Sequence, residues 1–203
     1  MKRFTRLALI LWIPAVLAVS PAWAEVEFTP TLGIRFGGSV ETDYNDDTID
    51  PSLSIGVTFD ISLAPEKWIV ALWSHQRAEF TAEGVSPTDN SFELDIDYLH
   101  AGGVYRPGVN KKNQPFVMVS AGLTWVRSQQ DGFGDALGLS GMIGAGTKVV
   151  LSPKIGLRFE GRGFLTFTDV SLSGVCGGIG CTVRFSSGGI FQFEALGGVT
   201  FSF

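Results

Sequence analysis

The chain has 203 residues, enough for one domain, and its 15 Lys+Arg against 20 Asp+Glu give a net charge of −5. Without the first 24 residues, which carry Lys2, Arg3 and Arg6 and no acid, twelve basic residues face twenty acidic ones, a net charge of −8. That balance disfavours nucleic acid or an anionic membrane surface as an electrostatic partner.

Lys2, Arg3 and Arg6 form a basic start, residues 7–19 are an almost unbroken apolar run, and Ala22 and Ala24 supply the small side chains that a signal peptidase reads. This predicts a cleaved signal peptide over residues 1–24 and a mature chain beginning near Glu25. The alternative is an uncleaved anchor helix, but the run is shorter than the about 20 apolar residues that span a bilayer. The residue directly after the cleavage point is Glu25 and not a cysteine, which argues against a lipoprotein.

The remaining chain is rich in phenylalanine (15) and glycine (26), yet it has no apolar stretch of helix-spanning length. Its apolar residues must therefore lie on strands, and a closed barrel is the other structure that satisfies its backbone within lipid.

Eight segments show period-two alternation, the signature of strands with two unlike faces. The first sets Phe28, Leu32, Ile34 and Phe36 against Thr29, Thr31, Gly33 and Arg35. The second sets Leu53, Ile55, Val57, Phe59 and Ile61 against Ser54, Thr58 and Asp60. The third, over residues 68–80, is ambiguous. Trp68, Val70 and Leu72 suggest an apolar face, while Trp73 shares the other with His75, Arg77 and Glu79.

The fourth alternates Phe92, Leu94, Ile96 and Tyr98 with Glu93, Asp95 and Asp97. In the fifth, Val117, Val119, Leu123 and Trp125 oppose Ser120, Gly122 and Thr124. The sixth places Leu139, Ile143 and Val149 against Ser140, Gly144, Gly146 and Lys148. The seventh places Ile155, Leu157, Phe159 and Leu165 against Arg158, Glu160 and Arg162. The last runs Phe191, Phe193, Ala195, Gly197, Val199, Phe201 and Phe203 on one face, with Gln192, Glu194 and Thr200 on the other.

Connections alternate in kind. Residues 64–66 and 152–154 read as tight turns and 106–114 as a longer polar one; between them come polar loops at 41–50, 81–90, 128–136 and 169–188. Short turns on one rim and long loops on the other is the outer-membrane arrangement, with the turns periplasmic. The pattern predicts an eight-stranded antiparallel up-and-down transmembrane β-barrel over residues 25–203, its strands projecting above the outer surface.

A soluble barrel carrying a lipophilic ligand would have an apolar inside and a polar outside. Here the nearly charge-free face must meet lipid, since a charge at mid-depth costs about 2–4 kcal/mol there. The expected lumen set is Arg35, Asp60, His75, Arg77, Glu79, Glu93, Asp95, Asp97, Arg158, Glu160, Arg162 and Glu194. Arg35, Arg158 and Arg162 are expected to bridge carboxylates of strands four, seven and eight. Trp68 and Trp125, near opposite rims, are expected in the aromatic girdles.

An interior this narrow is filled by side chains, so a sealed polar core is favoured over an ion path. Nucleophilic catalysis needs a serine, a histidine and an acid within hydrogen-bond reach. Only His75 and His100 are available, and Ser74 and His75, adjacent on a strand, point to opposite faces. The reading is therefore non-enzymatic, with no metal or cofactor, and a lipid-modifying enzyme is the second alternative after a narrow porin-like channel. Cys176 and Cys181, exported to an oxidising compartment, are expected to form a disulfide stapling a loop. A metal or redox role lacks a CxxC spacing or a nearby histidine.

The C-terminal residues 196–203 (LGGVTFSF) resemble the signal read by the barrel-assembly machinery, matched at Gly198, Phe201 and the terminal Phe203 and departing from it at Leu196. With residues 94–100 (LDIDYLH), 157–163 (LRFEGRG), 192–195 (QFEA) and the cysteine loop, the chain resembles the small outer-membrane barrels of the OmpA-transmembrane-domain and OmpX type. The resemblance implies a monomer in the Gram-negative outer membrane, with outer-membrane lipid, the assembly machinery and periplasmic chaperones as partners.

Overall fold

The computed structural model describes residues 25–41, 46–48, 50–81, 91–108, 112–128, 136–167, 171–176, 179–184 and 190–203. The expected signal peptide, residues 1–24, lies outside them. Eight long strands form a closed barrel: β1 (Val26–Phe36), β2 (Ser52–Ala64), β3 (Lys67–Thr81), β4 (Ser91–Tyr105), β5 (Asn113–Ser128), β6 (Ala136–Ser152), β7 (Ile155–Phe167) and β8 (Ile190–Ser202). Each strand pairs antiparallel with its chain neighbours. β1 closes the ring on β8, with Glu27 opposite Ser202 and Phe36 opposite Phe193.

Closure leaves no free edge, so every strand satisfies its backbone on both sides. The chain ends are tied into the seam, where Phe203 N donates to Val26 O at 2.9 Å. On the loop rim, Ser39–Glu41 pairs with Asp46–Thr48 and Ser171–Cys176 with Ile179–Arg184 as two small hairpins. The side chains of Cys176 and Cys181 lie outside the described residues. On the opposite rim the ladders shift register at Ser62/Ala64 and at Val150/Ser152, where Pro65 and Pro153 end their strands.

The outer surface is apolar over most of its height. Leu32, Ile34, Leu53, Ile55, Phe59, Val119, Leu139, Ile143, Phe159 and Phe193 all point outward and are exposed. The interior is mixed: Phe164, Met118 and Met142 are buried among serines, threonines and charged groups. This inversion of the usual soluble pattern makes the molecule a transmembrane barrel.

Six strands carry the facing read from their alternation; β4 is reversed, and β3, ambiguous in sequence, turns His75 and Arg77 outward, against their place in the expected lumen set. In β3 the inward residues are Trp68, Val70, Leu72, Ser74, Gln76 and Ala78, and in β4 they are Leu94, Ile96, Tyr98 and His100. His75, Arg77, Glu93, Asp95 and Asp97 stand on the outer surface. Glu79 opposes Glu93 across the ladder, and its side chain lies outside the described residues. The reason is position along the strand. These charges occupy the loop-side ends of β3 and β4, beyond the apolar band, where an outward charge meets water. Trp68 is likewise corrected: it lies inside the barrel, 3% exposed, and is no girdle residue.

Candidate functional site

Three sets of polar contacts among the described residues organise the interior. Nearest the turn rim, Glu27 of β1 accepts from Arg106 Nη1 at 3.0 Å and pairs with Lys148 of β6. Lys148 Nζ also reaches Ser202 Oγ at 3.4 Å. Arg106 is set just past the end of β4, its backbone N–H donating to Glu66 O at 2.8 Å. Its guanidinium lies 4.3 Å from the centroid of the Trp68 ring, which explains the inward turn of that tryptophan.

Above this, six charged groups alternate in sign along one chain of ion pairs. Asp60 Oδ2 meets Arg158 Nη1 at 2.6 Å, and Arg158 Nε meets Glu160 Oε2 at 2.8 Å. Glu160 Oε1 then meets Arg162 Nε at 2.6 Å, Arg162 Nη1 meets Glu194 Oε2 at 3.4 Å, and Glu194 Oε1 meets Arg35 Nη2 at 2.8 Å.

Local geometry builds this chain. Residues two apart on a strand share a face, so Arg158, Glu160 and Arg162 line up along β7. The antiparallel register then sets Glu194 of β8 opposite both Arg162 and Arg35. Small residues leave the room: a Cβ at Gly144 would stand 2.9 Å from Met118 Cγ and 3.2 Å from Glu160 Oε1. Arg158 also stacks 4.4 Å from the Phe116 centroid.

The third set is neutral. Tyr98 Oη donates to Gln192 Oε1 at 2.8 Å and lies 3.2 Å from Thr166 Oγ1. His100 Nε2 lies 2.7 Å from Ser140 Oγ and its Nδ1 3.1 Å from Ser120 Oγ. Thr124 Oγ1 donates to Ser140 Oγ at 2.8 Å and extends this hydroxyl network toward Thr166.

The three arginines of the chain bridge carboxylates of β2, β7 and β8; the acids of β4 take no part. Asp95 and Asp97 instead pair outside the barrel. Arg77 Nε donates to Asp95 Oδ1 at 3.0 Å, His75 Nδ1 lies 3.0 Å from Asp97 Oδ1, and Arg127 of β5 pairs with Asp97. Register makes the first two direct cross-strand pairs, the arrangement that stabilises a sheet surface. Just below, Trp73, Leu99, Leu123 and Trp125 surround a groove of about 390 Å³ with Asp97 and Arg127 at its top. Trp125, 52% exposed, marks the boundary between the apolar band and the charged ends.

Sequence reasoning missed Glu27, Arg106, Tyr98, His100 and Gln76 as lumen groups, and placed Gln192 and Lys148 on the polar face without partners. The parity of Glu27 with Thr29, Thr31 and Arg35 could have found it. Arg106 was hidden by its place at a turn, where alternation ends.

Chemically the interior can hold structure. Arg35, Arg106, Arg158, Arg162, Gln76, Gln192, Tyr98 and Phe164 are each no more than 2% exposed, so the filled cross-section leaves these groups out of contact with bulk solvent. His100 has two serine partners, yet no carboxylate hydrogen-bonds to it among the described residues, and Ser74 is held by Arg35 and Glu194 instead. Among the described residues no group of three or more His, Cys, Asp or Glu side chains is placed to hold a metal ion.

No family model matches the sequence, and no curated protein matches it. Solved structures do resemble it. Neisserial surface protein A superposes with a TM-score of 0.60 at 8% identity, over 89% of this chain and 99% of that one. The outer membrane protein OprG from Pseudomonas aeruginosa gives 0.56 at 14% identity, over 89% and 95%. The outer membrane protein AlkL in DMPC lipid bilayers gives 0.57 at 15% identity, over 92% and 94%. The chain therefore has the fold of the small outer-membrane barrels.

Proposed function

We propose that the protein is a non-enzymatic integral barrel of the Gram-negative outer membrane that strengthens the envelope and presents its long loops outside, its lumen closed to solutes. The single observation that carries this reading is the unbroken chain from Asp60 to Arg35, buried at every link and flanked by Tyr98, Phe164, Phe116 and Met118. Opening a path through it means separating charges whose pairing offsets a desolvation cost of several kcal/mol per ion.

The location is supported by the fold shared with the solved outer-membrane barrels and by the basic, apolar, small-residue order of residues 1–24. Gly198, Phe201 and Phe203 act as the assembly signal in this reading, and the barrel works as a monomer surrounded by outer-membrane lipid. The Cys176–Cys181 disulfide belongs to the displayed loop.

The test is solute flux. Vesicles containing the folded protein should swell in small sugars and amino acids no faster than protein-free vesicles. Uptake that rises with the amount of inserted protein would replace this reading with that of a narrow channel.

A further inference from the structure

The outer surface of β3, β4 and β5 carries a second groove nearer the turn rim, of about 420 Å³, with Lys67, Gly103, Tyr105, Val117 and Val119 among its lining. Its floor is Gly103. A Cβ built there would meet nothing closer than Trp68 O at 4.0 Å, so the space above that glycine is open surface and not packed protein. The register sets Ile69, Gly103 and Val119 in one row and Lys67, Tyr105 and Val117 in the next. Toward the membrane centre the next row is Ala71, Ala101 and Ala121, all small, so the groove continues as a shallow trough.

Its rim end is polar in one particular way. Lys67 is exposed and makes no hydrogen bond or ion pair with any described residue. The neighbouring acid, Glu66, accepts from Tyr105 Oη at 3.1 Å. An apolar slot thus ends at a lone ammonium and a tyrosine at the height where the turn rim meets headgroups.

We propose that this groove seats one anionic glycerophospholipid of the periplasmic leaflet, an acyl chain lying over Gly103 beside Val117 and Val119 and the phosphate on Lys67 Nζ. Charge chooses the occupant. A phosphate supplies the counter-charge that the protein leaves out beside Lys67. The proposal rests on the barrel lying in a bilayer with its short turns periplasmic.

The experiment uses the full mature chain folded into bilayers of phosphatidylcholine containing phosphatidylglycerol. Lipid retained on the protein is then read by native mass spectrometry. Insertion is scored separately from heat-modifiable gel mobility, so a failure to insert counts against the barrel and a failure to retain lipid counts against the groove. Wild type should keep a phosphatidylglycerol adduct in preference to phosphatidylcholine. Lys67→Gln should lower that preference about fivefold, the factor expected of one lysine at a charged membrane surface. Gly103→Leu should abolish it by filling the slot. Gly161→Leu, on the outer surface of β7 with nothing within 4 Å of its built Cβ, should leave it unchanged. Equal retention of the two lipids by wild type overturns the proposal, as does retention unaltered in Lys67→Gln and Gly103→Leu or lowered as much in Gly161→Leu.

Discussion

Removing Glu160 alone should harm the barrel far more than removing it together with Arg162. Glu160 is the middle acid of the chain and accepts from Arg158 Nε at 2.8 Å and from Arg162 Nε and Nη2 at 2.6 and 3.3 Å. In Glu160→Met three buried guanidinium groups face two carboxylates. Arg158 keeps Asp60, but Arg162 is left with Glu194 at 3.4 Å, an acid already held by Arg35. Breaking a buried pair by removing one partner costs about 3–5 kcal/mol, because a charge is left uncompensated.

Glu160→Met/Arg162→Met removes the inner acid and base together. It leaves Asp60–Arg158 and Arg35–Glu194, two separate neutral pairs at 2.6 and 2.8 Å. Arg158 Nε loses Glu160 in either variant; the further losses are the contacts from Arg162 Nη1 to Glu194 Oε2 at 3.4 Å and from Arg162 Nη2 to Thr58 Oγ1 at 3.0 Å, about 1–2 kcal/mol for the shorter of the two. The double variant should therefore lie at least about 1 kcal/mol above Glu160→Met in reversible urea unfolding in vesicles, a positive coupling of the kind double-mutant cycles detect. If the two substitutions add, or if Glu160→Met costs under about 1 kcal/mol, the chain is not the organising element of the interior.

Two further outcomes test the facing of the strands and the fill of the interior. Ile143→Arg, on a side chain 69% exposed in the apolar band, should cost about 2–4 kcal/mol in bilayers, whereas Glu93→Lys on the loop-side end should change stability by less than about 1 kcal/mol; comparable losses would place Glu93 in the lumen or in lipid. Gly122→Ala should destabilise by at least about 1–3 kcal/mol in the same unfolding assay, since its Cβ would lie 2.0 Å from Leu99 O and 2.7 Å from His100 Cα, and a neutral result would show that the β4–β5 contact is looser than described.

The sequence made the barrel legible because period two runs through the strands and the charge-poor face is the outer one on six of them, and the closing strand with Phe191, Phe193, Phe201 and Phe203 states it most clearly. β3 and β4 defeated the same reasoning. Alternation says that two faces differ, but it does not say which is inside once a strand leaves the membrane. Above the apolar band the rule that charges face the lumen lapses, and His75, Arg77, Asp95 and Asp97 turn to water. The rows themselves held the missing clue, because Arg77, Asp95 and Arg127 become neighbours as soon as the register is known. The β7 triad Arg158, Glu160 and Arg162 was readable from spacing alone. Its partners Asp60 and Glu194, and the separate cluster of Glu27 with Arg106 and Lys148, depend on how the ring closes.

Single-channel recording across a planar bilayer puts the closed interior to its most direct test. Wild-type protein, folded and inserted in known amount, should give a quiet baseline with no discrete conductance steps over a range of voltages. Reproducible steps whose frequency follows the amount of inserted protein would contradict the account, because ions would then be crossing the Asp60-to-Arg35 chain.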